Sequence, residues 1–161
     1  MIKSYTLDLH GSIELQKKCP AYAIPKECYK NVYHIAVNTN IFQNRKWNEK
    51  CIAFGYINSV GFPIAIRHAF FIIDNQAIDP TLIICESIYY IAEIFSLSEY
   101  CSRILKSGYY DMHNDVGLIE KEKILMKALK DKEICNFRSK TEYPSHKDIS
   151  RSCQGIYYAS P

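Results

Sequence analysis

Apolar and polar positions change rhythm several times along this chain, and each change marks an element. From Lys50 to Ile57 and again from Ile64 to Ile73 the residues are almost continuously apolar, with Arg67 and His68 the only polar side chains in the second run. Both runs predict buried strands, and Gly55 inside the first predicts a bulge or a close backbone approach. Asp74-Asn75 predicts a two-residue turn, because both residue types tolerate left-handed backbone. A third strand, Ala77 to Ile83, follows and is interrupted by Pro80. Ahead of these, residues 25–38 repeat at helical spacing: Cys28, Val32, Ile35 and Ala36 fall on one stripe, Pro25 suits the first helical position, and Glu27 suits the dipole. Cys28 therefore belongs to the first turn.

Weaker patterns fill the rest. Residues 1–10 alternate as an edge strand ended by Gly11, Ser12 to Lys18 is a short helix stopped by Pro20, and Tyr22 to Ile24 connect. Residues 39–48 form a polar connection carrying Trp47, and Asn58 to Pro63 form a turn. Ser87 to Phe95 fits strand and helix equally. Ser96 with Glu99 is a capping-box pair that starts a helix over Leu97 to Ser107, ended by Gly108, and Leu118 to Lys132 is a further helix. The expected organisation is one α+β domain over residues 1–137, with a core at 25–84, a helical extension at 85–137, and a polar, loop-rich tail at 138–161.

Composition narrows the class without choosing a function. The chain has 161 residues, 48% hydrophobic and 23% charged, with a net charge of +3 and no long basic block, so nucleic acid is not indicated as a partner. Seven cysteines, an odd number with no CxxC pair, argue against a disulfide framework or a zinc site. The N-terminus lacks the apolar run of a signal peptide, and no stretch reaches the ~18 apolar residues of a membrane span. The expectation is a cytoplasmic protein, of the producing cell or of a host, with no cofactor and no metal.

Chemistry concentrates in Cys28, His68 and Asp79. A thiol, an imidazole and a carboxylate are the parts of a cysteine nucleophile with its base and the group that orients the base. With Asp74-Asn75 as the turn, Ile73 pairs with Gln76 and Phe70 with Asp79. Asp79 then shares a sheet face with His68 as a diagonal neighbour, about 7–8 Å away at the backbone. A three-residue turn would put it on the opposite face. The helix dipole and free N–H groups of the first turn favour a thiolate at Cys28 and offer donors to an oxyanion. Asn31, one turn on, is a further donor or a group that orients the imidazole. Taken singly each residue also has an ordinary reading: Cys28 as a buried cysteine, His68 as a satisfied core histidine, Asp79 before Pro80 as a turn former. His10, His34, His113 and His146 have no acidic or thiol neighbour in the sequence pattern.

Taken in order, Cys28-Tyr-Lys-Asn-Val-Tyr-His-Ile-Ala, Ile52-Ala-Phe-Gly-Tyr56, His68-Ala-Phe-Phe and Ile78-Asp-Pro-Thr81 resemble the core of the transglutaminase-like cysteine enzymes, a branch of the papain-like fold. The resemblance spans about residues 25–84. It implies a Cys-bearing helix packed on an antiparallel sheet, with extra C-terminal helices. It also implies a Cys28–His68–Asp79 triad and an acyl-transfer reaction on a protein or peptide amide. Hydrolysis by a peptidase or deamidase is the leading expectation, in a setting such as a bacterial or phage effector. Transfer to an amine, transfer from a small-molecule thioester and a catalytically silent binding module remain open. Tyr56 and Trp47 complete the candidate set as substrate-contacting aromatics. Glu27 and Tyr29 depart from the family's usual neighbours of the cysteine, and the C-terminal half carries no resemblance.

Overall fold

The computed structural model describes residues 1–39, 49–59, 62–84 and 86–134, without the side chains of 62–64. Trp47, His146, three cysteines (85, 135 and 153) and the expected tail lie outside the described residues. Among the described residues the fold is α+β, with a five-stranded antiparallel sheet and four helices.

Strand β1 (Ser4–Thr6) leads into helix α1 (Leu9–Lys18), then a 3-10 turn at Pro20–Tyr22 and helix α2 (Cys28–Asn38). Gly11 does not end the first strand as expected. It sits inside α1, where Asp8 caps the helix by accepting from the Gly11 N–H at 2.9 Å. A Cβ at Gly11 would lie 2.3 Å from the Asp8 carboxylate and would push the cap away. Helix α2 also starts later than the pattern predicted. Lys26 has a left-handed φ of 68°, which keeps Pro25 and Lys26 in a turn and leaves Glu27 as N-cap. Cys28 thereby becomes the first helical residue.

Strands β2 (Lys50–Ser59) and β3 (Phe62–Ile73) are longer than expected and pair as far as Ser59 and Phe62, so most of the predicted Asn58–Pro63 turn is strand. The Asp74-Asn75 turn forms as read, with φ of 49° and 63°, both residues in the left-handed region that a type I′ hairpin requires. Strand β4 is only Gln76–Ile78 and ends opposite Phe71, short of the Ala77–Ile83 strand expected. Pro80 has no N–H to continue the ladder, and Asp79 turns its carboxylate to the backbone ahead of it. The ambiguous stretch is strand β5 (Ser87–Ser96), placed between β1 and β2, so the expected helical extension opens with a central strand.

The order β1-β5-β2-β3-β4 has an odd number of antiparallel strands, so its two edges run parallel, and they meet. Leu7 forms a parallel bridge to Ala77, and the Asp8 N–H donates to the Ala77 carbonyl at 2.8 Å. The sheet therefore curls on itself. Its inner side holds Ala53, Ile57, Phe70, Ile72, Ala77 and Tyr89, closed over by Leu82 and Ile84. Its outer side carries Ile52, Phe54, Ala69 and Phe71 against the α2 stripe of Cys28, Val32, Ile35 and Ala36.

Two helices finish the outer side. Helix α3 (Leu97–Ser107) has the full Ser96/Glu99 capping box and ends at Gly108, whose φ of 76° suits glycine. It buries Tyr100 and Ile104 against Phe54 and Phe95. Helix α4 (Val116–Asp131), capped by Asp115, lays Leu125 and Leu129 over Tyr56, Ala65 and Tyr90. Each buried leucine there contributes about 1.5–3 kcal/mol. Among the described residues no helix is long and apolar enough to cross a membrane.

Candidate active site

Past the end of β4, the β3 edge has no paired strand among the described residues, and His68 lies there. Its position on the inner side follows from the register: it pairs with Gly55, and alternates with Ala69, which faces α2. Gly55 is required by the strand on its other side. A Cβ there would lie 1.8 Å from the Tyr90 carbonyl oxygen, at the point where β5 is bulged against β2.

Asp79 and His68 meet although the ladder does not carry them together. His68 Nε2 lies 2.7 Å from Asp79 Oδ2. The other carboxylate oxygen accepts the N–H groups of Thr81 at 2.8 Å and Leu82 at 3.0 Å, an Asx turn that fixes the carboxylate. Cys28, at the head of α2, is near enough to the imidazole to raise its pKa. All three are nearly inaccessible, at 4%, 3% and 0% exposure for Cys28, His68 and Asp79. Burial alone would push the His68 pKa down. Asp79 and then Cys28 outweigh it and hold the value well above that of an ordinary histidine.

The proton positions follow from the acceptors. An ionised carboxylate only accepts, so the Asp79 contact puts a proton on Nε2 of neutral His68 and leaves a lone pair on Nδ1. A thiol, an imidazole of fixed tautomer and a buried carboxylate form a chain along which one proton can move from sulfur to nitrogen. The first-turn N–H groups of α2 have no intrahelical acceptor, and Cys28 belongs to that turn.

Two expected members of the site take other roles. Asn31 is no oxyanion donor, because both of its amide N–H groups are committed. They donate to the Ile24 carbonyl at 2.7 Å and to Thr81 Oγ1 at 2.9 Å, at 1% exposure. Asn31 instead ties the Cys28 helix to the Asp79 turn. Tyr56 is buried beneath α4 with Leu125 and Leu129, on the outer side paired with Arg67, so it is not presented to a substrate. Trp47 lies outside the described residues. His113 does have an acidic neighbour, contrary to the pattern: its Nδ1 lies 2.9 Å from Asp111 Oδ1, on an exposed turn.

Residues not singled out in the sequence hold the site together. Ser12 Oγ accepts the Asp79 N–H at 3.0 Å, and Gln16 Nε2 donates to the Pro80 carbonyl at 3.0 Å, so α1 braces the turn. Tyr89 donates to Asp79 Oδ2 at 3.0 Å. Arg67 stacks 5.0 Å over the Tyr29 ring and donates from Nε to both Glu122 oxygens at 2.8 and 2.9 Å. Only Arg67 carried a sequence signal, as a charge in an apolar strand; the contacts of the others span 10 to 67 positions and leave no local pattern. Among the described residues no cluster of side chains could hold a metal ion.

No family model, no curated protein and no solved structure matches the chain.

Proposed function

We propose that the protein is a cysteine-dependent acyl-transfer enzyme, with Cys28 as nucleophile, His68 as acid and base, and Asp79 as the group that orients His68. The observation that carries this is the buried His68 Nε2–Asp79 Oδ2 pair at 2.7 Å, with Cys28 at the head of α2 near enough to the imidazole to act on it. The papain-like, transglutaminase-like core expected from the motifs belongs to the same proposal, supported by a Cys-bearing helix packed on an antiparallel, curled sheet.

Cys28 gives its proton to His68 Nδ1, and the thiolate attacks the carbonyl carbon of an amide. The carbonyl oxygen takes the electron pair and is held by first-turn N–H groups of α2. As the C–N bond breaks, the imidazolium returns the proton to the departing nitrogen, leaving a thioester on Cys28. Water or an amine, deprotonated by His68, then breaks the C–S bond. Water makes the enzyme a peptidase or deamidase, the reading preferred here; an amine makes it a transglutaminase. The substrate class is a protein or peptide.

Acylation can be tested before the substrate is known. Mixed with p-nitrophenyl acetate, the protein should release one equivalent of nitrophenolate in a burst and carry one acetyl group on Cys28. Adding a primary amine then tells aminolysis from hydrolysis by whether the label is passed on. No burst, with acetyl scattered over lysines and other thiols, would leave a silent binding module as the better description.

A further inference from the structure

Asp79 takes four hydrogen bonds, and the fourth is not explained by the triad. Two backbone N–H groups hold Oδ1, while Oδ2 takes both His68 Nε2 and the Tyr89 hydroxyl at 3.0 Å. Tyr89 has no surface exposure, and its ring packs edge-on against Phe70 at 4.8 Å, with Phe70 in turn stacked on His68 at 6.4 Å. The same hydroxyl lies 3.2 Å from the Leu82 carbonyl. It has one proton to give, and the ionised carboxylate is the stronger acceptor.

We propose that Tyr89 is a positioning residue of the His68–Asp79 pair, whose hydroxyl shares Oδ2 with the imidazole and limits how strongly the carboxylate draws on the ring proton. This rests on the acyl-transfer reading and adds a fourth group to it. Tyr89 touches neither the thiol nor a substrate; it acts through Asp79. Burial and the adjacent carboxylate both push the Tyr89 pKa well up, so the hydroxyl keeps its proton and remains a donor over the working range. Among the described residues, the other groups facing the pair are Cys28 from α2 and, from α1, the neutral Ser12 and Gln16 on the Asp79–Pro80 backbone. Arg67 points to the opposite side and is engaged by Glu122 and Asp111. Removing the Tyr89 proton donor leaves the Asp79 charge less compensated, and that charge then stabilises the His68 imidazolium more.

The test reads His68 directly. In the 161-residue chain with Cys28→Ala and ¹⁵N-labelled histidine, the His68 titration midpoint is followed by NMR with Tyr89 and with Tyr89→Phe. The midpoint should rise by about half a unit or more, roughly threefold in the protonation equilibrium. Placing 3-fluorotyrosine at position 89 makes the hydroxyl a stronger donor, and the midpoint should fall. This second variant decides the matter if Tyr89→Phe does not fold. An unchanged midpoint, or shifts of the same sign in both variants, overturns the proposal and leaves Tyr89 as packing. Failure of the acyl-transfer reading shows elsewhere, as absence of the Cys28 acetylation burst, and leaves this titration interpretable.

Discussion

At the scale of single residues, the sequence makes Cys28, His68 and Asp79 visible because nucleophile, base and carboxylate are chemically distinctive types. It hides the roles of Asn31, Ser12 and Tyr89, which depend on which polar group lies opposite in the fold. Asn31 shows the difference: its spacing from Cys28 suggested an oxyanion donor, but its two N–H groups are spent on Ile24 and Thr81. Cys28→Ala and His68→Ala should each abolish acylation while the fold survives. Asp79→Asn should be less complete, a loss of up to about 10⁴-fold in acylation rate. Its amide oxygen must serve the Thr81 and Leu82 N–H groups, which turns the NH₂ towards His68 and moves the ring proton to Nδ1, facing the thiol. His68 also links stability to pH. Its folded pKa is held above the unfolded value, so its contribution is whole below about pH 6.5 and drains as pH rises towards the folded value. Denaturant titrations across that window should show falling stability for the wild type and a flatter profile for His68→Gln.

At the scale of elements, local signals are legible in the sequence where they are self-contained. The Asp74-Asn75 turn, the Ser96/Glu99 capping box and the Gly108 stop all depend on residues within a few positions of each other. Boundaries set by distant partners were not legible: β4 stops where Pro80 leaves the ladder, and β5 is a strand because it has β1 and β2 to pair with. Gly55 was legible as a close approach, and the partner is the Tyr90 carbonyl. Gly55→Ala should cost about 3 kcal/mol or more by denaturation, at or beyond the upper end for overpacking, because the obstacle is backbone. Arg67 is the other element-level joint, tying β3 to α4, the Asp111 turn and the Tyr29 ring beside Cys28. Glu122→Ala should destabilise by about 2–3 kcal/mol, less than the ~3–5 kcal/mol of a fully buried pair, since Arg67 remains 28% exposed.

At the scale of the whole molecule, the site depends on the sheet closing. The Leu7–Ala77 bridge brings α1 to the Asp79 turn, and the Asn31–Thr81 bond brings α2 to the same turn from the other side. The motif resemblance began at residue 25 and so left β1 and α1 outside the core, yet both help to place the carboxylate. The central claim is that this assembly turns one buried thiol among seven into a nucleophile through His68. Its most direct test is the alkylation rate of each cysteine by iodoacetamide at pH 6.5, mapped by mass spectrometry. Burial pushes the Cys19 and Cys101 thiols up, which makes them slow references. Cys28 should react about tenfold or more faster than either, since an ordinary thiol is only a few per cent thiolate near neutrality, and His68→Ala should erase that lead. A Cys28 that reacts no faster than Cys19 or Cys101, or whose rate ignores His68, would contradict the account.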